Sequence, residues 1–218
     1  MRTIEVRRVF VLALAAAAFT LPTAAAAQFR PLAVEVRGGL NWAMSDLKNG
    51  LGEEETVNGP PVAAAENGGY TASANVYWTF AQRGAIYLGW TRASFDCKEE
   101  FCGSDGRLWS AGPEMGFKFS MQGDRSFAPW VRGGLIAHKA KFKEGEGLEE
   151  NSVRSPGFEV GFGTDIGIGS VLALSPGIHY YRYSAGWDLG TAASKRVKKN
   201  IGWFQTDIGL QLRLGGAR

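Results

Sequence analysis

From Leu32 to Leu214 one pattern keeps returning: an extended segment in which every second residue is apolar, followed by a turn. GWFQTDIGLQLRL (202–214) shows it most cleanly. Phe204, Thr206, Ile208, Leu210, Leu212 and Leu214 share one face, and Gln205, Asp207, Gly209, Gln211 and Arg213 share the other. Seven earlier segments behave alike: 32–43, 70–80, 85–95, 108–121, 127–142, 157–168 and 171–185. Most reach or slightly exceed the roughly 9–11 residues that a tilted strand needs to cross a bilayer. The same region has no apolar run of spanning-helix length and no sustained helical period.

The connections sort themselves by length. AQRG, QGDRS and GS are tight turns, whereas residues 44–69, 96–107, 143–156 and 186–200 form long loops, and the two kinds alternate along the chain. A soluble sandwich has no reason for that alternation. A transmembrane barrel does, because its short turns gather at one end and its long loops at the other. The expectation is an all-β chain forming an eight-stranded antiparallel up-and-down transmembrane β-barrel.

The two faces of the strands say which side is outside. The polar face carries Glu35, Arg37, Glu114, Lys118, Arg132, Glu159, Asp165, Asp207 and Arg213, interleaved with glycines such as Gly39, Gly161, Gly163 and Gly209. A solvated face favours bulky side chains, whereas recurring glycine fits a narrow, crowded lumen. The opposite face is rich in Val, Leu, Ile and Phe, with Trp42, Trp78, Trp90 and Trp109 toward strand ends, as in an apolar band edged by aromatic belts. Isolated buried charges are costly, so the nearly balanced lumen charges should form a polar network that closes the pore, with Gly209 making room between Asp207 and Gln211.

The N-terminus has its own signature. Arg2, Arg7 and Arg8 precede the apolar run 9–21 and the small residues TAAAAQ, the layout of a cleaved signal peptide over 1–27, leaving a barrel domain over 28–218. Without that leader the formal net charge falls from +3 to +1, since the three arginines stand against Glu5 alone, and nothing points to nucleic acid. Thirty glycines with 12% aromatic residues suit tightly curved strands and aromatic girdles. Cys97 and Cys102, the only cysteines, lie close together in an exported chain, and a loop-closing disulfide is favoured over two free thiols.

FAPWVRGGLIAH (127–138) and the closing strand GWFQTDIGLQLRL resemble phrases of the small OmpA-type outer-membrane β-barrel family, and the likeness extends over 32–214. The resemblance implies an eight-stranded antiparallel barrel in a Gram-negative-type outer membrane, without a cofactor and with a structural, adhesive or envelope-interaction role; a monomer is expected. Such family members commonly close on a terminal aromatic residue, whereas this chain ends LGGAR, a departure that bears on assembly.

Chemistry finds little support in the sequence. His138 and His179 are the only histidines, both on the inward face, and Ser175 lies about 13 Å along the strand from His179, too far to be activated. No catalytic residue is assigned. Loop acids such as Glu53, Glu54, Glu55, Glu149 and Glu150 lack the spacing of a dedicated calcium loop, and no metal site is assigned. The basic cluster SKRVKK contributes Lys195, Arg196, Lys198 and Lys199, whose partners are lipopolysaccharide phosphates, acidic loops, or water alone. The reading is a barrel acting structurally or through its surface loops on an external ligand, with outer-membrane lipid around it. A lipid-modifying enzyme and a narrow channel are the alternatives.

Overall fold

A computed structural model describes residues 32–51, 63–81, 83–99, 106–121, 127–143, 149–169, 171–188 and 196–214. Residues 1–27, expected above to be a signal peptide, lie outside them. Eight long strands form the wall: β1 (Leu32–Ser45), β2 (Ala65–Ala81), β3 (Gly84–Cys97), β4 (Arg107–Ser120), β5 (Phe127–Lys143), β7 (Ser155–Ile168), β8 (Leu172–Asp188) and β9 (Arg196–Leu214). A short β6 (Glu149–Asn151) pairs with the end of β5, and a single turn of helix, α1 (Asp46–Asn49), follows β1.

Each long strand pairs antiparallel with its neighbour in the chain, and β1 pairs with β9 from Leu32–Leu214 to Ser45–Ile201. That last ladder closes the sheet into an eight-stranded antiparallel barrel. Closure leaves no sheet edge, so every strand finds backbone partners on both sides, the condition for a β-structure in a solvent that cannot hydrogen-bond.

The apolar face is the outer one. Leu135, Trp78, Ile208 and Leu40 are each at least 60% exposed, and they belong to a continuous apolar surface that runs around the strands. A water-soluble protein does not display such a surface; a barrel solvated by lipid must. Aromatic side chains stand at its borders, among them Tyr180, packed 4.9 Å from Phe204 and 6.1 Å from Phe158 between ring centroids.

The strands run further than expected at the long-loop end: β2 begins at Ala65 and β9 at Arg196, and β8 continues to Asp188. The reason is a second core. Inward-facing Phe95, Leu108, Phe142, Trp187 and Ile201 pack there with Leu47 of α1 and with Leu51, forming an apolar plug. The Leu51 amide donates to the Ala63 carbonyl and the Asn200 amide to Asp46 Oδ2, so both flanks of the first long loop fold back over the mouth. Polarity therefore inverts along a strand. In β5, Arg132 faces in and Val131 out; beyond His138, Ala140 and Phe142 face in while Lys139, Lys141 and Lys143 take the outward positions.

If lipid is the solvent of the outer face, Leu135→Arg at mid-height should cost about 2–4 kcal/mol of unfolding free energy in vesicles, read by urea titration. The same change on a water-facing surface is nearly neutral. A cost under about 0.5 kcal/mol would sink the assignment of that face to hydrocarbon.

Candidate functional site

The lumen at mid-height is filled by charged and phenolic side chains that the strand period points inward. Glu35, Arg37, Glu114, Lys118, Arg132, Glu159, Asp165 and Asp207 are each at most 6% exposed, so water does not reach them along an open pore. Two guanidinium groups organise them. Arg37 donates to Glu35 Oε1 at 2.9 Å, to the Asp207 carboxylate and to the Ser175 carbonyl at 3.0 Å. Arg132 Nη2 donates to Glu114 Oε1 at 3.1 Å, and its Nε stands 2.8 Å from Glu159 Oε1.

The two halves are joined by hydroxyls. Tyr77 donates to Glu35 Oε1 at 2.8 Å and accepts from Arg132 Nη1 at 3.1 Å, and Tyr87 donates to Glu159. Lys118 grips both oxygens of Asp165 at 2.8 Å, and Ser175 donates to the same carboxylate at 2.7 Å. The result is one continuous network from Lys118 to Glu114. Buried charges in pairs of this kind escape the large penalty of isolated ones, although the pairing itself adds little net stability.

His179 occupies the junction. Its Nδ1 is 3.4 Å from Glu159 Oε2 and its Nε2 is 3.5 Å from Asp207 Oδ2, ion-pair distance for the latter but outside hydrogen-bond geometry. The network holds five carboxylates against three permanent cations, and the imidazole lies between two of the carboxylates. Glycine clears the space: a Cβ on Gly161 would lie 2.3 Å from His179 Nδ1. Gly209 makes room as well, but for Glu35 and Arg37, whose carboxyl carbon and Cγ would stand 3.0 and 3.2 Å from its added Cβ. The neighbours on its own strand, Asp207 and Gln211, are not what it accommodates.

Arg213 departs from the expectation. It shares the inward face but is only half-buried at the rim, where its Nε donates to Gln211 at 3.2 Å. None of the contacts described for it reaches an acid of the network, because the lumen opens toward water at the strand's end. The basic cluster departs too. Arg196, Lys198 and Lys199 lie on β9 rather than in a loop, and the strand period sends Lys198 outward and exposed while Lys199 is half-buried on the other face. The cluster is therefore split across the wall; Lys195 lies outside the described residues. Cys97 ends β3 and is disulfide-bonded, with Cys102 outside the described residues.

The alternation marks Tyr77 as inward, but it does not single out Trp130 or Tyr87 for the lumen. Trp130 is 1% exposed inside the barrel, with Arg37 Cζ 5.4 Å and Lys118 Nζ 4.9 Å from its ring centroid, and Arg132 Cζ lies 4.6 Å from that of Tyr87. These rings face the cations where carboxylates do not. The signal was present, since Trp130 shares parity with Arg132.

A serine–histidine pair also comes together across strands. Ser110 Oγ is 3.0 Å from both His138 Nδ1 and Tyr183 Oη. His138 is wholly buried, its ring stacked near Trp203 and Tyr181. No carboxylate is described beside its Nε2, and the pair faces the interior rather than the lipid, so an acyl chain has no approach.

No protein-family model matches the chain, and no curated protein does. Solved structures do resemble it. Neisserial surface protein A has a TM-score of 0.59 at 15% identity, covering 84% of this chain and 97% of that one. Ail, the attachment invasion locus protein of Yersinia pestis, gives 0.48 at 12% identity, covering 84% and 99%. The outer membrane protein AlkL in lipid bilayers gives 0.46 at 14%, covering 91% and 98%. At such identities the likeness to Neisserial surface protein A is one of fold, and these neighbours are eight-stranded outer-membrane β-barrels.

Arg132→Met should cost about 3–5 kcal/mol in equilibrium unfolding, because it strands Glu114 and Glu159 in the lumen. Arg213→Gln, at the rim, should stay within about 0.5 kcal/mol. Equal costs for the two would dissolve the distinction between network and rim.

Proposed function

We infer that the chain is an outer-membrane β-barrel with a closed lumen, acting as a structural element of the envelope or through its long loops on an external partner. The observation that carries this reading is the pairing of an oily exterior with a lumen filled by the Arg37 and Arg132 network. A surface made for lipid with nothing passing through its centre leaves the loop end as the place where specificity can reside. The disulfide at Cys97 and the docked flanks of the first loop make that end a rigid platform, the kind that presents a fixed epitope at low entropic cost. Membrane lipid, including lipopolysaccharide, is then its constant neighbour, and a monomer is sufficient because the closed sheet leaves no edge to pair.

The channel alternative requires a continuous wet path, and the network and the apolar plug stand in series across it. The enzyme alternative requires a nucleophile and base within reach of lipid, and Ser110 and His138 are enclosed. Fractionation with a heat-modifiability gel tests the main reading: the protein should sediment with outer membrane and change mobility on boiling. In planar bilayers the purified barrel should show no large, steady open conductance. A soluble periplasmic protein without a mobility shift, or a stable open pore, would overturn it.

A further inference from the structure

We propose that the outer wall formed by β3, β4, β5 and the start of β7 is a binding site for the phosphate of an anionic lipid headgroup, centred on Arg92, Lys139 and Arg154. The proposal rests on the membrane reading above but places the contact on a different wall from the basic segment near residue 196.

The register puts these residues in one row. Arg92 of β3 is the partner of Ala111 of β4, and Ala111 is the partner of Lys139 of β5. The β5–β7 register, in which His138 meets Ser155, extends the row to Arg154 just before β7. All three cations stand outward, Arg92 and Arg154 exposed and Lys139 half-buried. One row toward the membrane the outward residues are Trp90, Pro113, Ala137 and Pro156, and below them come Leu88, Met115, Leu135 and Phe158, all exposed. The row of cations thus lies at the level where the outward face changes from apolar to polar.

The site has shape as well as charge. Arg154 Cζ sits 5.4 Å from the Trp90 ring centroid, and Arg92 Cζ 5.5 Å from that of Trp109. Arg154 reaches Trp90 across β5 and β4, where the outward residues at that level are the small Ala137 and Pro113. Both guanidinium groups thereby stand over indoles at cation–π distance, the Arg154 side chain crossing the small outward residues Ala137 and Pro113. Stacking fixes an arginine without using its hydrogen-bond donors, which remain in a fork suited to a phosphate. Among the described residues the outward acid on these strands is Asp96, at the rim beyond the row and in register with Arg107. Charge of one sign directly above hydrocarbon fits a lipid phosphate whose acyl chains run down Leu88, Met115 and Leu135.

The test uses the refolded full barrel in detergent micelles and native mass spectrometry of retained lipid. The probes are a bis-phosphorylated acylated glucosamine disaccharide, its dephosphorylated form, and inorganic phosphate. The variant R92Q/K139Q/R154Q should bind the phosphorylated lipid at least roughly tenfold more weakly than the parent. The control K48Q/R83Q/R182Q, which removes the same charge from other exposed positions, should bind as the parent does. Unchanged binding by the first variant, equal loss in the control, or equal retention of the dephosphorylated lipid would each overturn the site, and tight binding of inorganic phosphate alone would assign it to a free anion instead. A heat-modifiability gel on the same samples separates the outcomes: a shifted band with no selective retention sinks the lipid site only, and an unshifted band in the parent sinks the membrane reading.

Discussion

A backbone amide surrounded by hydrocarbon has one source of partners, another strand, and the ladder between β1 and β9 is what supplies the last of them. Everything else in the molecule follows from that closure. Eight strands enclose a bore just wide enough for side chains, so whatever faces inward must pack against what faces inward from the opposite wall. The Arg37 and Arg132 network is the polar solution to that packing, and the glycines beneath it are its geometric condition. Gly161 is small because the His179 ring lies against it, and Gly209 because Glu35 and Arg37 do.

A network of this kind acts more on uniqueness than on net stability. Paired ions in a dry interior roughly offset their own desolvation, yet a wrong register would separate Asp207 from Arg37 or Glu159 from Arg132 and leave a bare charge. A slip by one residue would also turn the lumen charges to lipid and the oily residues inward. The two penalties enforce the same register. The aromatic rings at Trp130, Tyr77 and Tyr87 strengthen the constraint, since they fill the gaps that a purely ionic lining leaves between flexible side chains.

The period-two pattern made the barrel, its strand count and its inner and outer faces legible from residues alone, because one buried and one lipid-facing surface is the strongest pattern a strand can carry. Individual partners were not legible. Which carboxylate meets Arg132 depends on strand tilt and stagger, which turn residues distant in sequence into neighbours across the bore. Parity alone puts Arg213 with the network, because it reports the face and says nothing of depth. Trp130 was overlooked for a related reason: aromatic residues were credited to the outer girdles, although its parity with Arg132 placed it inside.

The lengths of β2, β8 and β9 expose a more useful signal. The expected boundaries fell where polar-inward alternation fades, but the strands continue because the alternation reverses phase rather than ending. In β9, Ile201 and Trp203 face inward where Gln205 and Asp207 do so lower down, while Asn200 and Phe204 change places on the outer side in the opposite sense. The same reversal occurs in β5 at His138. An apolar interior with a polar exterior is the rule for water, and its converse is the rule for lipid. The position of the reversal therefore marks the surface of the hydrocarbon on each strand, and it can be read from sequence wherever two consecutive phases of the same strand are long enough to compare.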